Sequence, residues 1–189
     1  MDVVELDRRA GAAMSFLVAT VRPDQLGLPT PCPEWTVADL LTHVIAGNVK
    51  YRLIAEGAAW SRGVPEIDPV EDMARTYKET LASMLEAWDR PGVLDRELDL
   101  PQGRGRAEAA LYVHLGESLV HGWDLAQATS QALDVGAEVV ESCLAHYASW
   151  LPPQRPPGVP FAEARPAAPD APPLVRLAAY LGRDVAAWA

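Results

Sequence analysis

The sequence predicts an all-α fold: a four-helix bundle with short accessory helices and an extended, proline-rich C-terminal strap. Three observations predict it. Apolar residues recur at spacings of three and four over most of the chain, strand-like alternation is nearly absent, and prolines and glycines fall between the periodic stretches. With 189 residues and neither repeat nor linker, the chain reads as one domain, residues 1–150 forming the bundle core and 151–189 the strap and a short helix.

The elements follow in order. Leu6, Ala10, Ala13, Leu17 and Thr20 share a side, which predicts a first helix from Val3 to Val21. The stretch RPDQLGLPTPCPEW then excludes regular structure. Thr36 is placed to cap a second helix from Val37 to about Glu56, with Asp39 returning the bond in a capping box. GVPEIDP breaks the chain again, and Asp68 before Pro69 reads as the cap and first residue of a third helix reaching about Trp88. A long connection follows, in which LDRELDL alternates as a short strand or extended segment and Arg104 and Arg106 read as exposed loop positions. A fourth helix spans roughly Arg106 to Thr129 and a fifth roughly Gly136 to Trp150. After the proline-laden strap, a short helix from Pro173 to Leu181 ends with Gly182 as the residue that reverses it.

Charge narrows the function. Twenty-six acidic against 16 basic side chains give a net charge of −10, which phosphate backbones and anionic membranes repel. Neither nucleic-acid nor membrane binding is expected. No apolar run reaches the roughly 20 residues of a membrane span, and MDVVELDRRA is not a basic leader, so a soluble, cytoplasmic protein is expected. Two cysteines make no disulfide framework; Cys32, between prolines, reads as a small half-buried loop residue rather than a nucleophile.

The informative stretch is HLGESLVHGWDLA. His114, Glu117, His121 and Asp124 are spaced three, four and three, so they line one stripe of the fourth helix. Leu111, Tyr112, Val113, Leu115, Leu119, Val120 and Trp123 cover the rest, far more than the ~100° apolar band of a surface helix. The stripe has two destinations. In solvent, Glu117 and His121 form a helical pair worth a few tenths of a kcal/mol, about 0.2–0.5. Facing inward, they need a partner such as a divalent metal, with a third ligand from another helix. His146 reads as exposed or capping. Periodicity places His43 on the surface, because Val37, Leu41, Val44, Ile45 and Val49 cluster on another side. Trp35 and Trp123 read as core anchors.

Three segments in order, TPCPEWTVADLLTHVIAGN, HLGESLVHGWDLAQATSQ and FAEARPAAPDAPPLVRLAAYLGRD, resemble the DinB/YfiT-like metal-binding bundles. More narrowly, they resemble the branch related to mycothiol-dependent maleylpyruvate isomerase. The resemblance implies a divalent ion held by His43, Glu117 and His121, zinc first, with nickel or another divalent metal as alternatives. It also implies mycothiol as co-substrate, its thiolate attacking a small electrophile, and so a thiol-dependent transferase or isomerase. His114 and Asp124 fall where residues supporting the ligands or transferring protons belong. The isomerase carries a further C-terminal domain, so what carries over is a metal-bound thiol or water rather than that substrate. The rivals are a non-catalytic metal-binding bundle serving a stress, regulatory or accessory role, and a metal-dependent hydrolase. A monomer or homodimer is expected.

Overall fold

The computed structural model describes residues 1–33, 35–67, 72–100, 103–155 and 161–188. The helices are α1 (Val3–Thr20), α2 (Val37–Ala55), α3 (Met73–Trp88), α4 (Ala107–Thr129), α5 (Ala137–Trp150) and α6 (Pro173–Tyr180). A hairpin of β1 (Glu97–Leu100) and β2 (Gly103–Arg106) precedes α4, with Glu97 opposite Arg106. Among the described residues the fold is thus a helical bundle, as the periodicity predicts, joined by a small two-stranded sheet.

Local chemistry starts the main helices. Asp2 accepts from the Glu5 amide, and Asp72 accepts from the Arg75 amide. Thr36 and Asp39 form the predicted capping box, with the Thr36 amide 2.9 Å from the Asp39 carboxylate. The start predicted for the third helix at Asp68 and Pro69 lies outside the described residues; the described helix begins at Met73. Gly182 has φ +99°, as its place after α6 requires.

Cross-helix contacts give the bundle its directions. Asn48 meets Thr80, and the Trp88 indole donates to the Tyr51 carbonyl, so α2 and α3 run parallel. Asp7 meets His114 and Thr20 meets Gln131, so α1 and α4 also run parallel. Arg8 reaches Asp89, which makes the two pairs antiparallel to each other. Parallel neighbours require the chain to return along a helix of 19 residues, ~28 Å long, which accounts for the long segment 56–72.

α4 is central: 17 of its 23 positions are buried, so it is covered on more than one side. One core, including Met14, Leu41, Ile45, Met84, Trp88 and Leu111, fills the space among α1 to α4. A second joins α4 to α5 and α6 through Leu119, Val139, Cys143, Tyr147 and Leu177. Gly116 lets α5 close in, because a Cβ there would meet the Tyr147 ring and hydroxyl at 2.4 Å.

Two sequence readings are corrected here. Arg104 and Arg106 lie in β2, not a loop, although they remain exposed and pair with Glu97 and Asp95. GRGR lacks the apolar alternation that marks a strand, and only its partner ELDL alternates. His146 is neither exposed nor a cap: its half-buried ring lies flat on Tyr112, centroids 4.0 Å apart.

Candidate functional site

The polar stripe of α4 faces inward and divides into two layers. In the first, His114 is closed on both sides. Its Nδ1 lies 2.8 and 3.0 Å from the two Asp7 oxygens, and its Nε2 lies 3.0 Å from Asn48 Oδ1. The Asn48 amide donates to Thr80 Oγ1 at 3.1 Å, and the Thr80 hydroxyl donates onward to the Thr76 carbonyl at 2.8 Å. Thr80 therefore spends its only proton on the backbone and accepts from Asn48, which turns the Asn48 oxygen toward His114. Both ring nitrogens of His114 then face acceptors. Burial pushes its pKa down most strongly, but the charge and hydrogen bond of Asp7 overcome this and the net shift is upward. This chain of bonds ties α1, α4, α2 and α3 together. His114 keeps no free nitrogen for the proton transfer that its place in the stripe suggests.

The second layer is open. His121 is buried, and its Nδ1 lies 3.0 Å from Asp124 Oδ2. Asp124 has no exposed surface and is gripped by Arg183, whose Nε and Nη2 donate to its two oxygens at 2.8 and 2.7 Å. Burial raises the Asp124 pKa, yet hydrogen bonds from His121 and Arg183 bring it below its ordinary value, so it is a carboxylate. His121 must therefore donate through Nδ1, which leaves Nε2 as its available nitrogen. Arg183 comes from the segment after α6, 59 residues from Asp124. It lies in the last of the three segments that carry the resemblance, but neither its spacing nor its residue type marks it as the partner of Asp124.

His43 belongs to this layer. Its Nε2 lies 3.8 Å from Glu117 Oε2, and its ring meets that of His121 edge-on at 5.0 Å between centroids. The surface position that periodicity suggests is therefore wrong. α2 packs against α3 on one side and α4 on another, so its second, narrower face is covered too, with Leu40 and Ile54 buried along it. Burial, with smaller contributions from His121, Lys50 and Arg183, lowers the His43 pKa to about 3, so the ring is neutral with a lone pair available.

Trp35 is more than a core anchor. It lies 4.6 Å from the His43 ring and stacks on His121 at 5.7 Å, 25° from parallel. The TPCPEW turn delivers it: the Trp35 amide donates to the Cys32 carbonyl, and the Thr30 amide donates to the Trp35 carbonyl. Cys32 is half-buried, as expected, and burial raises its thiol pKa. Trp123 is a core residue, 3% exposed. Beside His43 opens a cleft of about 560 Å³, whose walls include Trp35, Asp39, Val64, Glu66 and Ile67.

The donors suit a divalent metal: two neutral-capable imidazoles and one carboxylate, with one imidazole held by a buried aspartate. As placed, however, no three His, Cys, Asp or Glu side chains among the described residues stand close enough together to enclose an ion. His43 and Glu117 stand as a pair, with the His121 ring beside them.

The family model described as the mycothiol maleylpyruvate isomerase N-terminal domain matches residues 8–126, more than half of the chain. The chain belongs to this family. The match spans Trp35, His43, Glu117, His121 and Asp124 and excludes Arg183, so in this mycothiol maleylpyruvate isomerase-type bundle a conformational anchor of the site lies outside the matched segment. Two relatives from Mycobacterium tuberculosis, uncharacterized proteins of strains CDC 1551 / Oshkosh and ATCC 25618 / H37Rv, are each 36% identical over 192 residues, covering 98% of this chain and all of theirs. Among solved structures, a mycothiol-dependent maleylpyruvate isomerase is similar with a TM-score of 0.58 at 16% identity, over 74% of this chain and 65% of that one. A histidine-to-alanine mutant of a mycothiol-dependent maleylpyruvate isomerase gives 0.57 at 15% identity with the same coverage. That likeness is one of fold, and this chain spans about two thirds of the isomerase. Among the described residues, no helix is long and apolar enough to cross a membrane.

Proposed function

We propose that this protein is a divalent-metal enzyme of the thiol-dependent transferase or isomerase type, using mycothiol against a small electrophile. One observation carries the reading. His121 is held by the Arg183–Asp124 pair with a single nitrogen free, beside a neutral His43 and the Glu117 carboxylate. Structural histidines in this chain do not look like that.

His43, Glu117 and His121 would hold the ion, zinc being the best match to two imidazoles and a carboxylate, with nickel next. When bound, the ion supplies a Lewis acid that eases deprotonation of an incoming thiol near neutral pH. Asp124 keeps the proton on His121 Nδ1 and raises the basicity of Nε2. Arg183 neutralises Asp124 and prevents it from rotating toward the open side. Trp35 covers both imidazoles and restricts water, while the cleft beside His43 admits the electrophile.

The test uses untagged protein, since a polyhistidine tag competes for metal. Zinc titration followed by mycothiol and a panel of electrophiles should show one tightly held ion and thiol-dependent turnover. Full zinc content in His121→Ala rejects the ligand set. Turnover that ignores thiol identifies a hydrolase, and zinc binding without any turnover identifies an accessory binding module.

A further inference from the structure

The cleft beside His43 combines an apolar wall with an acidic mouth. Trp35, Val64 and Ile67 supply apolar surface, while Asp39 and Glu66, both exposed, line it as carboxylates. Asp39 is held ionised by two hydrogen bonds from Thr36, one from its amide and one from its hydroxyl. Among the side chains the structure describes, no arginine or lysine lines the cleft. The two cations nearest in influence to His43 are committed elsewhere. Arg183 is bound to Asp124 through two nitrogens, and the Lys50 ammonium lies 4.7 Å above the Trp60 ring and 5.6 Å from that of Tyr51. The chain's net charge of −10 adds a field of the same sign as the cleft mouth.

We infer that this cleft takes an uncharged or cationic electrophile with an apolar body, and discriminates against dicarboxylates such as maleylpyruvate. The inference rests on the functional reading above for where the electrophile meets the thiol. Its physics is simple. A carboxylate entering within several ångströms of Asp39 and Glu66 finds two like charges and, among the described side chains lining the cleft, only uncharged donors such as the Thr42 hydroxyl and the Trp35 indole to replace the water it loses. A neutral ring or chain loses only water against Trp35, Val64 and Ile67.

The test uses three N-substituted maleimides of matched size, bearing a trimethylammonium, an uncharged group or a carboxylate. Mycothiol adds across the maleimide double bond, forming a C–S bond while the thiol proton ends on the neighbouring carbon. Rates with the zinc-loaded full chain are expressed relative to the spontaneous reaction. In parallel, the unreactive succinimide counterparts are titrated and binding is followed at the Trp35 indole N–H by NMR, which requires no turnover. The cationic and neutral probes should bind and react better than the carboxylate by about three- to tenfold at low salt, shrinking as salt rises. In Glu66→Lys, where the new ammonium offsets Asp39, the difference between the probes should collapse. A carboxylate succinimide that binds wild type as well as the neutral one overturns the inference, as does the absence of any response at Trp35. If the succinimide order holds but no maleimide is accelerated, the cleft inference stands and the thiol-enzyme reading fails.

Discussion

His114 and His121 stand seven residues apart on one face of α4, about two turns, and each is buried against a buried aspartate. Their second nitrogens separate them. His114 gives Nε2 to Asn48 and becomes one link in a bond chain across four helices. His121 keeps Nε2 unassigned, beside His43 and Glu117, while Arg183 locks its aspartate from the far side. A buried histidine whose two nitrogens are both satisfied by the protein holds a fold together. One with a single fixed nitrogen is poised for something from outside. The aspartate alone does not distinguish them.

The comparison breaks most easily at Asp7. Asp7→Asn leaves the His114 imidazolium without its charge partner, and loss of one member of a buried pair costs about 3–5 kcal/mol. Urea unfolding should show that loss, whereas zinc affinity of the folded fraction should not change. A cost below about 1 kcal/mol, the range of an exposed pair, would mean that the closed layer is not structural. His121→Ala should do the reverse, lowering zinc affinity by more than the roughly 100-fold upper range of a supporting residue while changing the unfolding midpoint little. Calorimetry on both variants gives the crossed pattern or refutes it.

Asp124→Asn sharpens the contrast at intermediate size. The amide can no longer anchor Arg183 as a carboxylate does, and zinc affinity should fall by about 10- to 100-fold. If affinity holds, the orientation of His121 comes from Trp35 and packing instead. The smallest effect is pH dependence. His114 has a folded pKa above the unfolded value, so the folded state binds more protons between the two. Its stabilisation is complete below the unfolded pKa and is lost as pH rises through the folded one, at no more than about 1.4 kcal/mol per pH unit. Denaturation midpoints across that range should decline in wild type, and this component should vanish in Asp7→Asn.

Much of the frame was legible from residues alone. The Thr36 and Asp39 cap, the breaks at proline and glycine, and the helical spans depend on interactions within a few residues, and apart from the start of the third helix they appear where expected. The second strand was not, because GRGR pairs through its backbone and carries no side-chain pattern. Cys32 sits half-buried as its setting between prolines suggests, whereas the role of Trp35 against two imidazoles depends on how the turn folds over α4.

By itself, the sequence determined that four polar groups share one line of a mostly apolar helix, because a spacing of three, four and three has only one outcome on 3.6 residues per turn. Only the tertiary structure decided what each group meets. Asp7 reaches His114 across 107 positions and Arg183 reaches Asp124 across 59, while His43 turns inward because a second helix covers its face. Helical periodicity records the direction of a side chain relative to its own axis. It carries no record of which distant segment packs there, and that neighbour determines whether a buried histidine has both nitrogens occupied or keeps one open.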